Sequence, residues 1–207
     1  MKIKDFNGLT AYITGASSGI GLATAKSLAA RGANIVVLDI APCPLSDIEK
    51  CRLSPAQKIA YVQLDVSQRE MAEQALPAAV KEYGPPDILV NSAGISHPQE
   101  FWNTSYETFD KIIKVNLYGT VNMTGILLPY LKESKGYIVN LSSIAGFIGV
   151  FSMTPNNFEL DFPAKQTVNG SESSVSVLNG GEFRTVPELL FEKRGLIQLA
   201  QQLLFSP

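Results

Sequence analysis

Metal-binding and redox side chains are scarce in this chain. Its 207 residues include one histidine and two cysteines. His97 belongs to no catalytic motif, and a lone loop histidine is more often solvated than catalytic, so it is given no role. Cys43 and Cys51 share one polar, proline-rich loop and form neither a metal-ligand spacing nor a disulfide framework. That usage fits a reducing compartment, with a local Cys43–Cys51 disulfide as the alternative. No metal site is expected. Basic charge is not in excess either: 17 lysines and arginines face 19 acidic residues, for a net charge of -2. Nothing in that balance favours nucleic acid. No apolar run is long enough to span a membrane. The opening Met1-Lys2-Ile3-Lys4-Asp5-Phe6 lacks the apolar stretch of a secretory leader. The expectation is a cytoplasmic protein with no membrane span and no nucleic-acid partner. Repeats and low-complexity tracts are also lacking.

What is present suits a globular fold. The chain is 45% hydrophobic and 17% charged, in a length that fits one domain with a sizeable core. Residues 1–151 alternate strand and helix. Apolar patterning predicts strands over 9–14, 35–38, 59–64, 87–90 and 137–141, and helices over 22–31 and 106–132. Ser67-Gln68-Arg69-Glu70 has the form of a capping box, so a helix should start there, and Pro77 should kink it. Strands of continuous apolar character separated by helices imply an α/β fold, a doubly wound parallel sheet of the Rossmann type. Ligands in such folds bind beyond the C-terminal ends of the strands. Asp39, Asp65, Asn91 and Ser143 all fall at such ends.

Residues 152–207 differ in texture and are expected to be an atypical C-terminal segment of the same domain. Residues 152–174 are polar and carry two prolines. Val175-Ser176-Val177-Leu178 then meets Asn179-Gly180-Gly181, a hairpin turn signal. Pro187 can open a helix, and Leu189, Leu190, Leu196, Ile197, Ala200, Leu203 and Leu204 recur on one face of it.

The most specific pattern lies near the start. Thr14-Gly15-Ala16-Ser17-Ser18-Gly19-Ile20-Gly21 stands between a strand and a helix. Such a turn lets backbone N–H groups approach a pyrophosphate, and the helix N-terminus adds partial positive charge. Asp39, ending the second strand, can accept hydrogen bonds from ribose 2′- and 3′-hydroxyls. It would repel a 2′-phosphate, and no lysine or arginine lies within several residues to offset it, so NAD is favoured over NADP. Asp65-Val66, Asn91-Ser92-Ala93-Gly94, Asn116 within Val115-Asn116-Leu117, and Ser143, the second of a serine pair, follow in order at suitable positions.

Together the glycine-rich turn, Asp65-Val66, Asn91-Ser92-Ala93-Gly94, Asn116 and Ser143 resemble the short-chain dehydrogenase/reductase family over about residues 1–151. The resemblance implies a dinucleotide site at Gly15, Ser17, Ser18, Gly19, Ile20, Gly21, Asp39, Asp65, Val66, Asn91, Ser92, Ala93 and Gly94. It implies that Ser143 bonds the substrate oxygen and that Asn116 holds a water in a proton relay. It also implies a tyrosine and a lysine one helical turn apart, whose tyrosine trades a proton with the substrate while hydride moves. This chain has no Tyr-x-x-x-Lys anywhere and no tyrosine after Tyr137; the expected position reads Thr154-Pro155-Asn156-Asn157-Phe158. Tyr83-Gly84-Pro85-Pro86-Asp87, the run from Asn91 to His97-Pro98, and Ile144-Ala145-Gly146-Phe147-Ile148-Gly149-Val150-Phe151 further resemble the 3-ketosphinganine reductase branch. Against that branch, a catalytic helix and a sixth strand are missing between about Phe151 and Thr154.

The expected function is hydride transfer between NAD(H) and an alcohol/ketone pair, with a lipid-like ketone implied by the branch. The alternative is an inactive dinucleotide-binding protein, a sensor or partner subunit; a poorly folded defective isoform is the third reading. A homo-oligomer is implied by the family, without a fixed size.

Overall fold

The computed structural model describes residues 5–98, 101–142, 175–179 and 182–184. Five parallel strands form its centre. They are β1 (Thr10–Thr14), β2 (Asn34–Asp39), β3 (Ile59–Gln63), β4 (Ile88–Asn91) and β5 (Tyr137–Leu141). The helices between them are α1 (Gly19–Ala29), α2 (Leu45–Glu49), α3 (Arg69–Tyr83), α4 (Tyr106–Ile113) and α5 (Gly119–Glu133). Strand order is β3-β2-β1-β4-β5, so the chain runs outward one way from β1 and then restarts on its other side at β4. That reversal is the topological switch point at which doubly wound sheets bind ligands.

Side chains alternate across the sheet, as a strand period of two requires. Ala11, Ile13, Ile35, Val37, Ile88 and Val90 pack with Ala25, Leu28 and Ala29 of α1 and Ile48 of α2. Tyr12, Val36, Leu38, Leu89 and Ile138 point to the opposite layer, with Leu76 of α3 and Met123 and Leu127 of α5. Both faces are thus buried, which explains the unbroken apolar runs. The five predicted strands stand where the pattern placed them, within a residue or two.

Local structure departs from expectation in several places. The helix predicted to begin at Leu22 begins at Gly19, inside the glycine-rich turn. Helix α2, which was not expected, folds from the proline-rich loop and buries Ile48. Cys43 and Cys51, on either side of it, are both free thiols. The capping box does not form. Ser67 directs its hydroxyl and its N–H to Asp65 Oδ1, at 2.7 and 2.9 Å, and Gln68 becomes the N-cap, its side chain making no bond to the helix N–H groups. Helix α3 continues through Pro77 as one element. The long helix of 106–132 is not uniform: α4 and α5 are joined by a π turn, Lys114–Tyr118.

The hairpin signal is realised in the sheet. β6 (Val175–Asn179) pairs antiparallel with β5, and β7 (Glu182–Arg184) pairs antiparallel with β6, with Asn179 opposite Glu182. The parallel sheet therefore carries an antiparallel edge. The polar 152–174 stretch and the apolar stripe from Pro187 lie outside the described residues.

Candidate functional site

Beyond the ends of β1, β2, β3, β4 and β5 lies a cleft of about 700 Å³. One wall is the turn from β1 into α1. Gly15 adopts φ +64°, and a Cβ there would lie 2.7 Å from Ala93 Cα. A Cβ on Gly21 would collide with the carbonyl of Gly15. Both positions need glycine because backbone crosses backbone there. Ser18 is the N-cap of α1, yet its side chain makes no cap bond. The first N–H groups of α1 are therefore left for an outside acceptor, which suits a phosphate. Gly15, Ser18, Gly19, Ile20 and Gly21 all line the cleft.

Asp39 ends β2 and lines the same cleft. Its Oδ2 accepts the N–H of Ser17 at 2.9 Å, and its Oδ1 accepts the N–H of Ala41 at 2.9 Å. Ser17 itself lies behind the wall, its hydroxyl donating to the Ala41 carbonyl at 2.9 Å. Cys43 packs beside this group; burial pushes its thiol up from the ordinary value, a bond from Ser17 opposes that, and the Asp39 carboxylate adds to it. Asp65 and Val66 line the cleft from the end of β3. Val66 is held there by α5: its carbonyl accepts Asn122 Nδ2 at 3.0 Å, and Gly119 passes so close that a Cβ would meet Val66 Cγ2 at 2.6 Å.

The opposite wall is the turn after β4. Ser92, Ala93 and Gly94 line the cleft. Thr14 Oγ1 accepts the N–H groups of both Ser92 and Ala93 at 3.0 Å, joining the two walls. Asn91 stands behind, 4% exposed. Its Nδ2 bonds Asn140 Oδ1 at 2.8 Å and Thr124 Oγ1 at 3.0 Å, while its Oδ1 has no partner among the described residues. Asn116 sits in the π turn. Its side-chain amide grips the backbone of Ile95, accepting from N–H at 2.9 Å and donating to C=O at 3.0 Å. A π turn is a frequent mark of a functional position in a helix, and here it lies where the cleft is lined. Ser142 lines the cleft, and Ser143 lies outside the described residues.

The structure thus gathers the glycine-rich turn, Asp39, Asp65, Val66 and the 92–94 turn around one cleft, and sets Ser17, Asn91 and Asn116 behind its walls. Sequence reasoning gave no role to Thr14, Asn122 or Lys111. Lys111 lines the cleft one helical turn before Val115, which lines it too. Their i, i+4 spacing ahead of Asn116 was a signal that could have been used. No cluster of potential metal ligands occurs among the described residues.

Comparison with known proteins agrees with this geometry. The family model described as short chain dehydrogenase matches residues 9–155. An uncharacterized oxidoreductase of Staphylococcus epidermidis is 40% identical over 138 residues, which are 66% of this chain and 59% of that protein. The D-beta-hydroxybutyrate dehydrogenase of Cupriavidus necator is 36% identical over 143 residues, 69% of this chain and 55% of that one. A short chain dehydrogenase from Mycobacterium paratuberculosis, solved bound to NAD, superposes with a TM-score of 0.67 at 26% identity, covering 75% of this chain and 63% of that one. The chain spans 55% to 59% of the length of these two curated relatives. The branch within the family is not assigned by these matches. With the family pattern matched over 9–155 and the same parallel sheet folded around the cleft, the chain belongs to the short-chain dehydrogenase family.

Proposed function

We propose that this chain binds a nicotinamide dinucleotide, NAD(H) in preference to NADP(H), and serves hydride transfer between it and a small alcohol/ketone pair. The observation that carries this reading is a glycine-rich turn and an uncapped helix start opening on the same cleft as Asp39, at the switch point of the sheet. The cradle fits the group: at Gly15 and Gly21 the backbone is bare because any Cβ would collide. Gly19 to Gly21 would hold the pyrophosphate through their N–H groups. Each Asp39 oxygen accepts one backbone N–H and keeps lone pairs for ribose hydroxyls. Asp65, Val66, Ser92, Ala93 and Gly94 would contact the rest of the dinucleotide. The bound nicotinamide supplies or accepts the hydride. Ser143 would hydrogen-bond the substrate oxygen. Asn116 would support the site by fixing Ile95, the grip its amide already makes.

The NAD-bound relative supports the cofactor class, and the hydroxybutyrate dehydrogenase supports a small hydroxy or keto substrate. The free thiols of Cys43 and Cys51 suit a reducing compartment, and with it the cytoplasm. A homo-oligomer is part of the same proposal, to be read from solution mass. The sequence supplies no Tyr-x-x-x-Lys, so the proton has no assigned carrier.

The test has two stages. Nicotinamide fluorescence titration should show NADH binding more tightly than NADPH. Turnover of secondary alcohols with NAD should then be measured for the chain and for Ser143→Ala, which should lose about 10²–10³-fold, the loss typical of removing one oxyanion donor. Binding without turnover would favour the inactive dinucleotide binder. Failure to bind either coenzyme would overturn the proposal.

A further inference from the structure

The carboxylate of Asp39 is bonded before any coenzyme arrives. Its two oxygens take N–H groups from two different segments, Ser17 in the glycine-rich turn and Ala41 after β2, each at 2.9 Å. The Ser17 hydroxyl closes the triangle on the Ala41 carbonyl at 2.9 Å. Two residues before Ser17, the N–H of Gly15 donates to the Leu38 carbonyl at 2.9 Å. Tyr61 donates its hydroxyl to the backbone carbonyl of Asp39 at 3.3 Å, so Asp39 is itself held from β3. The turn leaves β1 at Gly15 with positive φ, and these bonds tie it to the end of β2.

We infer that Asp39 is a positioning residue for the phosphate-facing turn, so that coenzyme choice and the shape of the turn depend on one carboxylate. The inference rests on the dinucleotide reading above for its consequence, and on the bonds just described for its cause. Hydrogen bonds from backbone N–H groups to a carboxylate are among the stronger ones in a protein. If Asp39 acted only by repelling a 2′-phosphate, removing its charge would raise NADPH affinity. If it shapes the turn, removing it frees the Ser17 and Ala41 N–H groups, the turn relaxes, and both coenzymes lose the same pyrophosphate cradle. Asparagine separates the two effects: it is uncharged, and its single oxygen can satisfy only one of the two N–H groups.

The experiment titrates NADH and NADPH against the chain, Asp39→Ala, Asp39→Asn and Ser17→Ala. For Asp39→Ala, NADH affinity is expected to fall about 10- to 100-fold, the range for a lost hydrogen bond to a charged group. NADPH affinity should stay at or below that of the unmodified chain. Asp39→Asn should recover part of the NADH affinity, and Ser17→Ala, which keeps its N–H, should lose less than Asp39→Ala. A rise of NADPH affinity in Asp39→Ala would overturn the inference. A second readout needs neither coenzyme nor variant. Amide hydrogen exchange at Ser17 and Ala41 of the unmodified chain should be protected, and exchange at the rate of an open loop would overturn the inference even if coenzyme binds. Conversely, protected amides with no binding of NADH or NADPH would leave the carboxylate's role standing and sink the dinucleotide reading instead.

Discussion

The wall built from β1, α1 and the end of β2 is shaped by bare backbone and one carboxylate, whereas the wall built from β4, β5 and α5 is shaped by asparagine amides. On the first wall, Gly15 and Gly21 let main chain cross main chain, and Asp39 collects two N–H groups. On the second, Asn91 bonds Asn140 and Thr124, Asn116 grips Ile95, and Asn122 holds Val66. At Gly15 and Gly21 the first wall has no room for an added atom. On the second, three asparagine amides each hold a neighbouring segment. The cleft is therefore vulnerable to small-to-large changes at Gly15 and Gly21 and to loss of an amide at Asn91, Asn116 or Asn122.

The sharpest way to break that contrast is Gly15→Ala. A methyl there meets Ala93 Cα, and the positive φ is unsuited to alanine. Dinucleotide binding should be lost in titration, with a stability cost of about 1–3 kcal/mol in denaturant melts from backbone strain. Unchanged NADH affinity would show that the crossing of Gly15 and Ala93 does not shape the site. Asn91→Leu should come next in stability, losing about 1–3 kcal/mol because Asn140 and Thr124 are left without their buried partner. Its effect on NADH affinity should be the smaller one, since Asn91 stands behind the wall. A loss confined to binding would contradict that placement.

Thr14→Val addresses the link between the walls. It keeps the shape of the side chain and removes the oxygen that accepts from Ser92 and Ala93. Stability should fall by about 1 kcal/mol, and NADH affinity should fall with it, because the 92–94 turn loses its anchor to β1. Stability lost without affinity would show that the walls are independent. The smallest effect belongs to a control far from both. Glu73→Gln breaks the exposed ion pair with Arg69 on α3, 2.8 Å long, and should cost about 0.3–0.5 kcal/mol with binding unaltered. A larger cost there would mean that changes of this size cannot be assigned to the walls.

The two walls were not equally legible. The first was visible because glycines at fixed spacing between a strand and a helix mark a turn where backbone must come close to something. The position of Asp39 was visible too, but its bond to Ser17 was not: the Ser17 N–H goes to Asp39 and its hydroxyl to the Ala41 carbonyl. On the second wall, Asn116 was singled out from the family pattern. That its amide would be spent on Ile95, across a π turn, could not be read from a helix-like stretch. The failed capping box at Ser67 has the same origin: the serine hydroxyl and N–H both turn back to Asp65 Oδ1, and the helix starts one residue later, with Gln68 as its N-cap. Helix α2 was missed because five residues after a proline give too short a pattern, and the burial of Ile48 decides it.

The sequence by itself determined the strands, the side-chain alternation that buries both faces of the sheet, and the points where backbone must be bare. Those are local properties, set by a period of two along the chain and by the φ angles open to glycine. Only the tertiary structure decided which partners the polar groups take. Asp39 reaches a residue 22 positions away, Asn116 one 21 away and Asn91 one 49 away, so each bond exists only once separate segments are brought side by side. Buried donors and acceptors must be paired by whatever the fold delivers, and that delivery is not written in any short stretch of chain.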